Sequence, residues 1–468
     1  MHYSDSRIHP YLPSIQSGWV GTLARSVYDY RPNIPFGSFK SLDEFNWYNG
    51  AKPRFSHPSA LYSCGHSTLD VDKARKSDRL LFERDRDKTF LLVDSGGFQV
   101  GKGVWKLEKT SQYVSKVLRW QEAIADLAVI LEVPAWTEVD GERIDFKHAL
   151  SATNDNLKAY ANGASGKLKF LIPLHGSTFA EGKRWFDKTR WFADEGFAVG
   201  WCLADGFSKN FYEAMKMLVY MIEQEHYPRY LHFLGQGNAQ VAVAAEMMRR
   251  TVPRCYPKSM SKGVEADENI LTVTTDASSE FQSVGRYVSI FLRNVPAIGK
   301  ALSNSPFTIK TERFDSKDRN KFPLDRTYPD VEGPILGRDD GGVVMGDLLA
   351  PVNGKTKSAY NIDEVSTAIL IAHSLWVKLD AYDRMSKLES ALRRIDYGER
   401  NTATVDFAQH MKNLLHMNTA KGSISNLGED LVGCTVGLWR TFKAGKAVKQ
   451  RYASLEEFAA NASSLFGK

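Results

Sequence analysis

Seven short, apolar, β-rich runs recur along the first two-thirds of the chain, separated by longer stretches with helical spacing. The runs are Ala60–Cys64, Phe90–Val93, Leu127–Val133, Leu168–Leu174, Phe197–Leu203, Tyr230–Leu234 and Ile270–Thr275. Nearly every position in them is apolar, rather than every second one, as in strands covered on both faces. Between them, Thr110–Ile124 places Val114, Val117, Leu118 and Ile124 near helical spacing. Phe211–Glu225 sets Met215, Leu218, Val219 and Ile222 on one stripe, and Val241–Met248 follows Asn238, a candidate N-cap. Repeated βα units predict a parallel sheet. Seven strands and one without a clear signal would close an α/β (β/α)8 TIM barrel. An open doubly wound sheet is the alternative reading of the same pattern.

The flanks read differently. Residues 1–55 are rich in Pro, Tyr and Trp without periodicity, and predict an N-terminal extension packed on the barrel. The barrel itself is expected over 56–394. It carries an irregular insertion at about 290–360, where Pro, Gly and charge mix, as in Asp339-Asp340-Gly341-Gly342. Ile362–Arg394 is strongly helical in pattern, and 395–468 reads as a helical, basic C-terminal tail. No solenoid-type repeat is visible.

Composition narrows the class. Of 468 residues, 43% are hydrophobic and 25% charged, which excludes a disordered or collagen-like chain. No apolar run approaches the ~20 residues that cross a bilayer, and the first residues show no signal-peptide pattern. The four cysteines stand far apart with no Cys-x-x-Cys pair. That argues against a disulfide scaffold or a thiolate zinc site. A soluble, cytoplasmic protein with no membrane partner is expected. Lys and Arg number 61 against 55 Asp and Glu, a net charge of +6, which is weak unless clustered. Arg440, Lys443, Lys446, Lys449 and Arg451 form one such cluster, with 440, 443, 446 and 451 near one helical face. A solvated surface and a contact with a polyanion explain it equally well.

Active sites of parallel barrels form where strands end at their C-terminal edge. Phe90–Val93 is followed by Asp94-Ser95-Gly96-Gly97-Phe98-Gln99, and Glu132 closes the next run. His175-Gly176, Gly200-Trp201-Cys202, Gly235-Gln236-Gly237 and Asp276-Ala277-Ser278-Ser279 mark the later ends. Each has an ordinary explanation, since Gly-Gly makes tight turns and Asp or Ser caps helices. Gly235-x-Gly237 lacks the third glycine of a dinucleotide fingerprint, because Gln240 stands there. Asp-Ser-Gly-Gly also occurs around the nucleophile of trypsin-like proteases. Those are all-β, and Phe98 stands where their proline follows.

The full string Asp94-Ser95-Gly96-Gly97-Phe98-Gln99 resembles the signature of the tRNA-guanine transglycosylase superfamily, (β/α)8 barrels that exchange guanine for a 7-deazaguanine. The likeness continues in order through Glu132, His175-Gly176, Gly200-Trp201-Cys202, Leu234-Gly235-Gln236-Gly237 and Asp276, over roughly residues 59–290. It implies that Asp276 is the nucleophile attacking the sugar C1′. It implies that Asp94 is the general acid/base, that Ser95 lies in the base pocket, and that Phe98 stacks on the purine, an interaction worth ~1–3 kcal/mol. Glu132 stands where the family has an aspartate facing guanine N1–H and the 2-amino group. His175 replaces a glutamine that meets O6 or N7. The Gly200-Trp201 backbone would approach O6, with bulky Trp201 closing the site around a different 7-substituent, and Leu234-Gly235 would form the other wall. The family's structural zinc is expected to be lost. His373 matches its histidine, but Gly342, Val344 and Asp347 occupy the cysteine region. His373 is then a core histidine, and base exchange requires no metal or other cofactor.

Within the superfamily the chain is more similar to the DNA-guanine transglycosylase (DpdA) branch, through its Ser/Thr-rich Thr274–Ser279 surround and its remodelled insertion. That implies a DNA partner and a preQ0-like base, with tRNA the alternative. Arg286, Arg440, Lys443, Lys446 and Lys449 would meet phosphates, and a duplex target would have to be flipped out. A non-catalytic nucleic-acid-binding accessory protein is the alternative of another class.

Overall fold

In the computed structural model, the described residues are chiefly 7–24, 41–209, 211–237, 271–285, 289–293, 309–313 and 364–396. Eight of the described strands form a closed, all-parallel barrel. In chain order they are β1 (Tyr11–Ile15), β2 (Ser59–Ser63), β3 (Phe90–Asp94), β4 (Leu127–Val129), β5 (Lys169–Leu174), β6 (Ala198–Leu203), β7 (Tyr230–Phe233) and β8 (Thr272–Ala277). Each pairs with its neighbours in sequence, and β8 closes on β1 through Leu12 opposite Asp276. This is the (β/α)8 barrel expected from the pattern, and the open sheet is excluded.

The seven anticipated runs are all strands of the barrel. The eighth overturns one expectation: residues 1–55 are not merely an extension, because Tyr11–Ile15 within them is β1. The strand is five residues long and contains Pro13, which lacks an N–H and ordinarily argues against a strand bonded on both edges. Helix α1 (Ser17–Ala24) follows it as an ordinary βα partner, with Trp19 stacked on Trp47 at 5.0 Å.

Strand alternation divides the core in two. Leu12, Leu61, Phe90, Leu92, Leu127, Val129, Leu171, Cys202 and Tyr230 fill the barrel interior. The alternate residues, among them Val93, Ile172, Trp201 and Phe233, pack outward against the helical layer. That layer includes α2 (Thr110–Ile124), with the predicted bounds, α3 (Phe146–Gly163), α4 (Phe179–Thr189) and α5 (Phe211–Glu223). The predicted helix over 241–248 falls mostly outside the described residues. Within the insertion, Ser289–Arg293 and Ile309–Arg313 pair as an antiparallel hairpin. The long helix α6 (Glu364–Asp396) matches the strongly helical stretch, and the tail beyond it lies outside the described residues.

Helix α6 is tied to the barrel-closing seam by a buried polar network. Tyr11 donates to Glu280 at 2.8 and 2.9 Å, and Lys378 of α6 reaches the same carboxylate at 3.1 Å. The Lys378 and Glu280 side chains are 1% and 0% exposed. Tyr382, also on α6, shares a 2.7 Å hydrogen bond with Thr275, next to Asp276 in the strand. Burial, then the Glu280 charge, raises the Tyr11 pKa, so its hydroxyl stays a donor. Breaking a buried pair leaves an uncompensated charge. Lys378→Ala is therefore expected to lower the unfolding free energy by about 3–5 kcal/mol, measured by chemical denaturation. Tyr11→Phe, which leaves Glu280 its lysine, should cost less, about 1.5–3 kcal/mol, the worth of a hydrogen bond to a charged group.

Candidate active site

Asp94 is the last residue of β3, and Asp276 lies near the end of β8, with β1 and β2 between them around the barrel. Both stand at the C-terminal mouth. Ser63 of β2, in register with Asp94, donates its hydroxyl to Asp94 Oδ2 at 2.7 Å, and the Gly96 N–H adds a contact at 3.3 Å. Burial raises the Asp94 pKa; these hydrogen bonds oppose it, and the Asp276 charge adds to the rise. The two carboxylates thus share one electrostatic environment.

Asp276 is 7% exposed. Its Oδ1 accepts the Gly235 N–H at 2.7 Å, from a turn in which Gly235 has φ +70°. That left-handed conformation is one glycine adopts readily and aims the amide back at the carboxylate. From β7, His232 brings Nε2 to 3.2 Å from the same oxygen.

A third carboxylate completes the mouth. Glu132 is buried, and its Oε2 accepts the Ser95 hydroxyl at 2.9 Å. Burial pushes its pKa up to about 7, the Asp94 charge adds to this, and His175 opposes it. Gly97 makes room for it: a Cβ there would fall 2.0 Å from Glu132 Oε1. Gly96 has φ +83°. The Gly-Gly pair therefore has two separate requirements, a left-handed backbone and then a close approach. His175, 2% exposed, donates Nδ1–H to Asp205 Oδ2 at 2.6 Å and turns Nε2 toward Glu132 Oε1 at 4.0 Å. Asp205 holds φ +49°, a conformation few non-glycine residues adopt.

The rim is aromatic. Phe98 is 59% exposed, its ring 5.8 Å from that of Trp136, and Lys102 Nζ lies 6.0 and 5.5 Å from the two ring centres. An exposed ring with a cation beside it is suited to stacking on a flat, electron-rich ligand.

Of the anticipated site residues, the described mouth brings together Asp94, Ser95, Glu132, His175, Gly235 and Asp276, with Phe98 at its rim. Leu234 packs against the interior cluster beside them. Gly200 sits so close to β7 that a Cβ would fall 1.8 Å from Tyr230 O. Trp201 corrects an expectation. Its side chain faces the helical layer, fully buried against Phe186 at 5.2 Å, with Nε1 donating to His226. Neighbouring strand residues point to opposite faces, so with Cys202 in the interior Trp201 cannot close the mouth. His373 is fully buried on α6. Among the described residues no group of three or more His, Cys, Asp or Glu could hold a metal ion. Positions 342, 344 and 347, like Arg286, Arg440, Lys443, Lys446 and Lys449, lie outside the described residues. No described helix is long and apolar enough to cross a membrane.

Sequence reasoning missed Ser63, Asp205, His232 and Trp136. Asp205 obeys the strand-end rule that selected the others, two residues past β6. His232 had a signal as well, a lone imidazole in an otherwise apolar strand. No family model matches the chain, and no curated protein matches it.

The raised Glu132 pKa has a consequence for stability. The native state holds a proton on Glu132 up to about pH 7, while the unfolded chain loses it near 4.5. The folded state binds more protons between those values, so this contribution to stability falls as pH rises from about 4.5 through 7. Denaturation at pH 5, 6 and 8 should show that decline, and Glu132→Gln should flatten it.

Proposed function

We propose that this chain is a pentosyltransferase that replaces guanine in DNA with a 7-deazaguanine base, through a covalent glycosyl-Asp276 intermediate. The observation that carries the reading is the pairing of Asp94 and Asp276 at one barrel mouth in unequal surroundings. Burial and the Asp276 charge favour the protonated form of Asp94, as a general acid requires. Among the described residues Asp276 accepts a hydrogen bond on one oxygen only, from the Gly235 N–H, leaving the other to attack.

In the first displacement an Asp276 oxygen bonds to the sugar C1′ as the C1′–N9 bond breaks. The electron pair leaves with guanine, which takes the Asp94 proton. In the second, N9 of the incoming base bonds to C1′, its proton passes to Asp94, and the ester electrons return to Asp276. Two inversions restore the anomer, the logic of retaining glycosidases. Neither step needs a redox or phosphoryl cofactor. Glu132 is the acceptor for N1–H and the 2-amino group, His175 faces the other end of that edge, and Phe98 covers the ring.

Support for DNA rests on the likeness of the Ser/Thr-rich Thr274–Ser279 segment to the DNA-modifying branch; tRNA is the competing polymer. A duplex target would cost a few kcal/mol to flip, offset by stacking and pocket contacts. Arg286 and the basic positions 440–449 are the proposed phosphate contacts.

Incubation with radiolabelled guanine, offering DNA and tRNA side by side, should label DNA, with preQ0 competing. Label in tRNA alone would replace the substrate, and label in neither would discard the activity. Asp276→Asn should abolish both exchange and the trapped adduct. Asp94→Asn should slow exchange by ~10²–10⁴-fold, the usual worth of a positioned acid/base group.

A further inference from the structure

We propose that His232 is the positioning residue of the nucleophile: its Nε2 carries a proton that holds Asp276 Oδ1 and reserves Oδ2 for attack. The inference rests on the transglycosylase reading for its kinetic consequence, though not for the proton itself.

The proton is located by following hydrogen bonds through the barrel interior. His232 is fully buried on β7, in register with Cys202 on one side and Thr274 on the other. The Thr274 hydroxyl donates to the Tyr230 hydroxyl at 3.1 Å. Its oxygen is therefore the acceptor in the 2.8 Å contact with His232, and Nδ1 is the donor. The remaining nitrogen, Nε2, faces Asp276 Oδ1 at 3.2 Å. Were Nε2 bare, a lone pair would face a carboxylate oxygen between two buried side chains, an arrangement that low dielectric makes costly. A proton on Nε2 turns that repulsion into attraction. Nε2 has no aligned hydrogen-bond partner among the described residues, so the contact is close but off-line. Catalytic hydrogen bonds commonly tighten only once substrate is bound.

With Nε2–H and the Gly235 N–H both on Oδ1, the attacking oxygen is Oδ2. Forming the Oδ2–C1′ bond as C1′–N9 breaks makes Oδ1 the ester carbonyl. Breaking Oδ2–C1′ in the second displacement returns the electron pair to the carboxylate. The two donors meet that returning charge as an oxyanion hole would. They stabilise the free carboxylate as well, so they favour its departure more than its attack. The sign is specific: losing His232 should slow release of the covalent intermediate rather than its formation.

Two readouts test this on the full chain. In long-range 1H–15N spectra of histidine-labelled protein, the His232 signals are identified by their loss in His232→Gln. Both ring nitrogens are expected to be protonated, with Nε2 losing its proton in Asp276→Asn. A bare Nε2 in the wild type overturns the proposal. In single-turnover trapping, His232→Leu should accumulate the covalent adduct, with release slowed ~10²-fold, the scale of one lost oxyanion-hole donor. His232→Gln, which keeps an N–H at similar reach, should recover most of that rate. Equal slowing of formation and release in His232→Leu, or no recovery in His232→Gln, overturns the positioning role. A wild-type chain that forms no adduct on any polymer overturns the transglycosylase reading instead, and the spectra decide the His232 proton independently.

Discussion

Three carboxylates crowd the mouth of an otherwise apolar barrel, and the cost of desolvating them governs the site. A buried charge without partners costs several kcal/mol, and like charges together raise the cost further. The chain answers with a different set of donors for each. Asp94 receives a hydroxyl and a distant amide, Glu132 one hydroxyl, and Asp276 a short amide with an imidazole beside it. The weakly supported pair shifts upward in pKa, Asp94 toward its protonated form and Glu132 to about 7, where it still ionises near neutral pH. On the proposed reading, division of labour between an acid and a nucleophile follows from that inequality, because residues of one type in one environment would titrate alike.

The inequality depends on the closing seam. Asp276 sits on the strand that completes the barrel, beside a β1 that has only five residues and a proline. Backbone pairing alone is a thin support there. The Tyr11–Glu280–Lys378 network and the Tyr382–Thr275 bond clamp the seam from outside, so α6 holds the strand of Asp276, and Tyr382 also donates to Gln236 O at 3.3 Å in the turn after β7. Gly237 belongs to the same clamp: a Cβ there would fall 2.4 Å from the Ala277 Cβ and 2.6 Å from Lys378 Nζ. Gly235 aims its amide at Asp276. The Gly-x-Gly after β7 is accounted for by these two demands, with no part left for a pyrophosphate.

The barrel was legible because doubly covered strands have unbroken apolar runs, and seven of eight announced themselves that way. β1 did not, since Pro13 and Ser14 interrupt a run too short to show periodicity. Strand-end logic found Asp94, Glu132, His175 and Asp276, which come from four separate parts of the sequence. It passed over Asp205, which obeys the same rule two residues beyond β6. Ser63 had no local signal, and the lone imidazole of His232 did not by itself say what it faces. Their importance lies in a neighbour on the adjacent strand, and register is set by barrel closure rather than by local sequence. Trp201 misled for a related reason: its place near the end of a strand was legible, but the face it points to required the register.

On the proposed reading, Glu132, Ser95, Gly97, His175 and Asp205 form one base pocket. Glu132 is one methylene longer than an aspartate, and Gly97, without a Cβ, leaves the space its carboxylate fills. Ser95, from the same loop, then fixes that carboxylate by its second oxygen. Opposite, Asp205 binds Nδ1 of His175, which settles the ring's orientation and leaves Nε2 facing the same space. A carboxylate acceptor beside an imidazole nitrogen suits an edge whose donors sit next to an acceptor, the order along guanine and its 7-deaza relatives. Adenine presents a different order and would leave the carboxylate facing a ring nitrogen lone pair. A buried polar group left unpaired rejects the wrong base more strongly than pocket shape does, so on the proposed reading the discrimination of base resides in this carboxylate–imidazole pair.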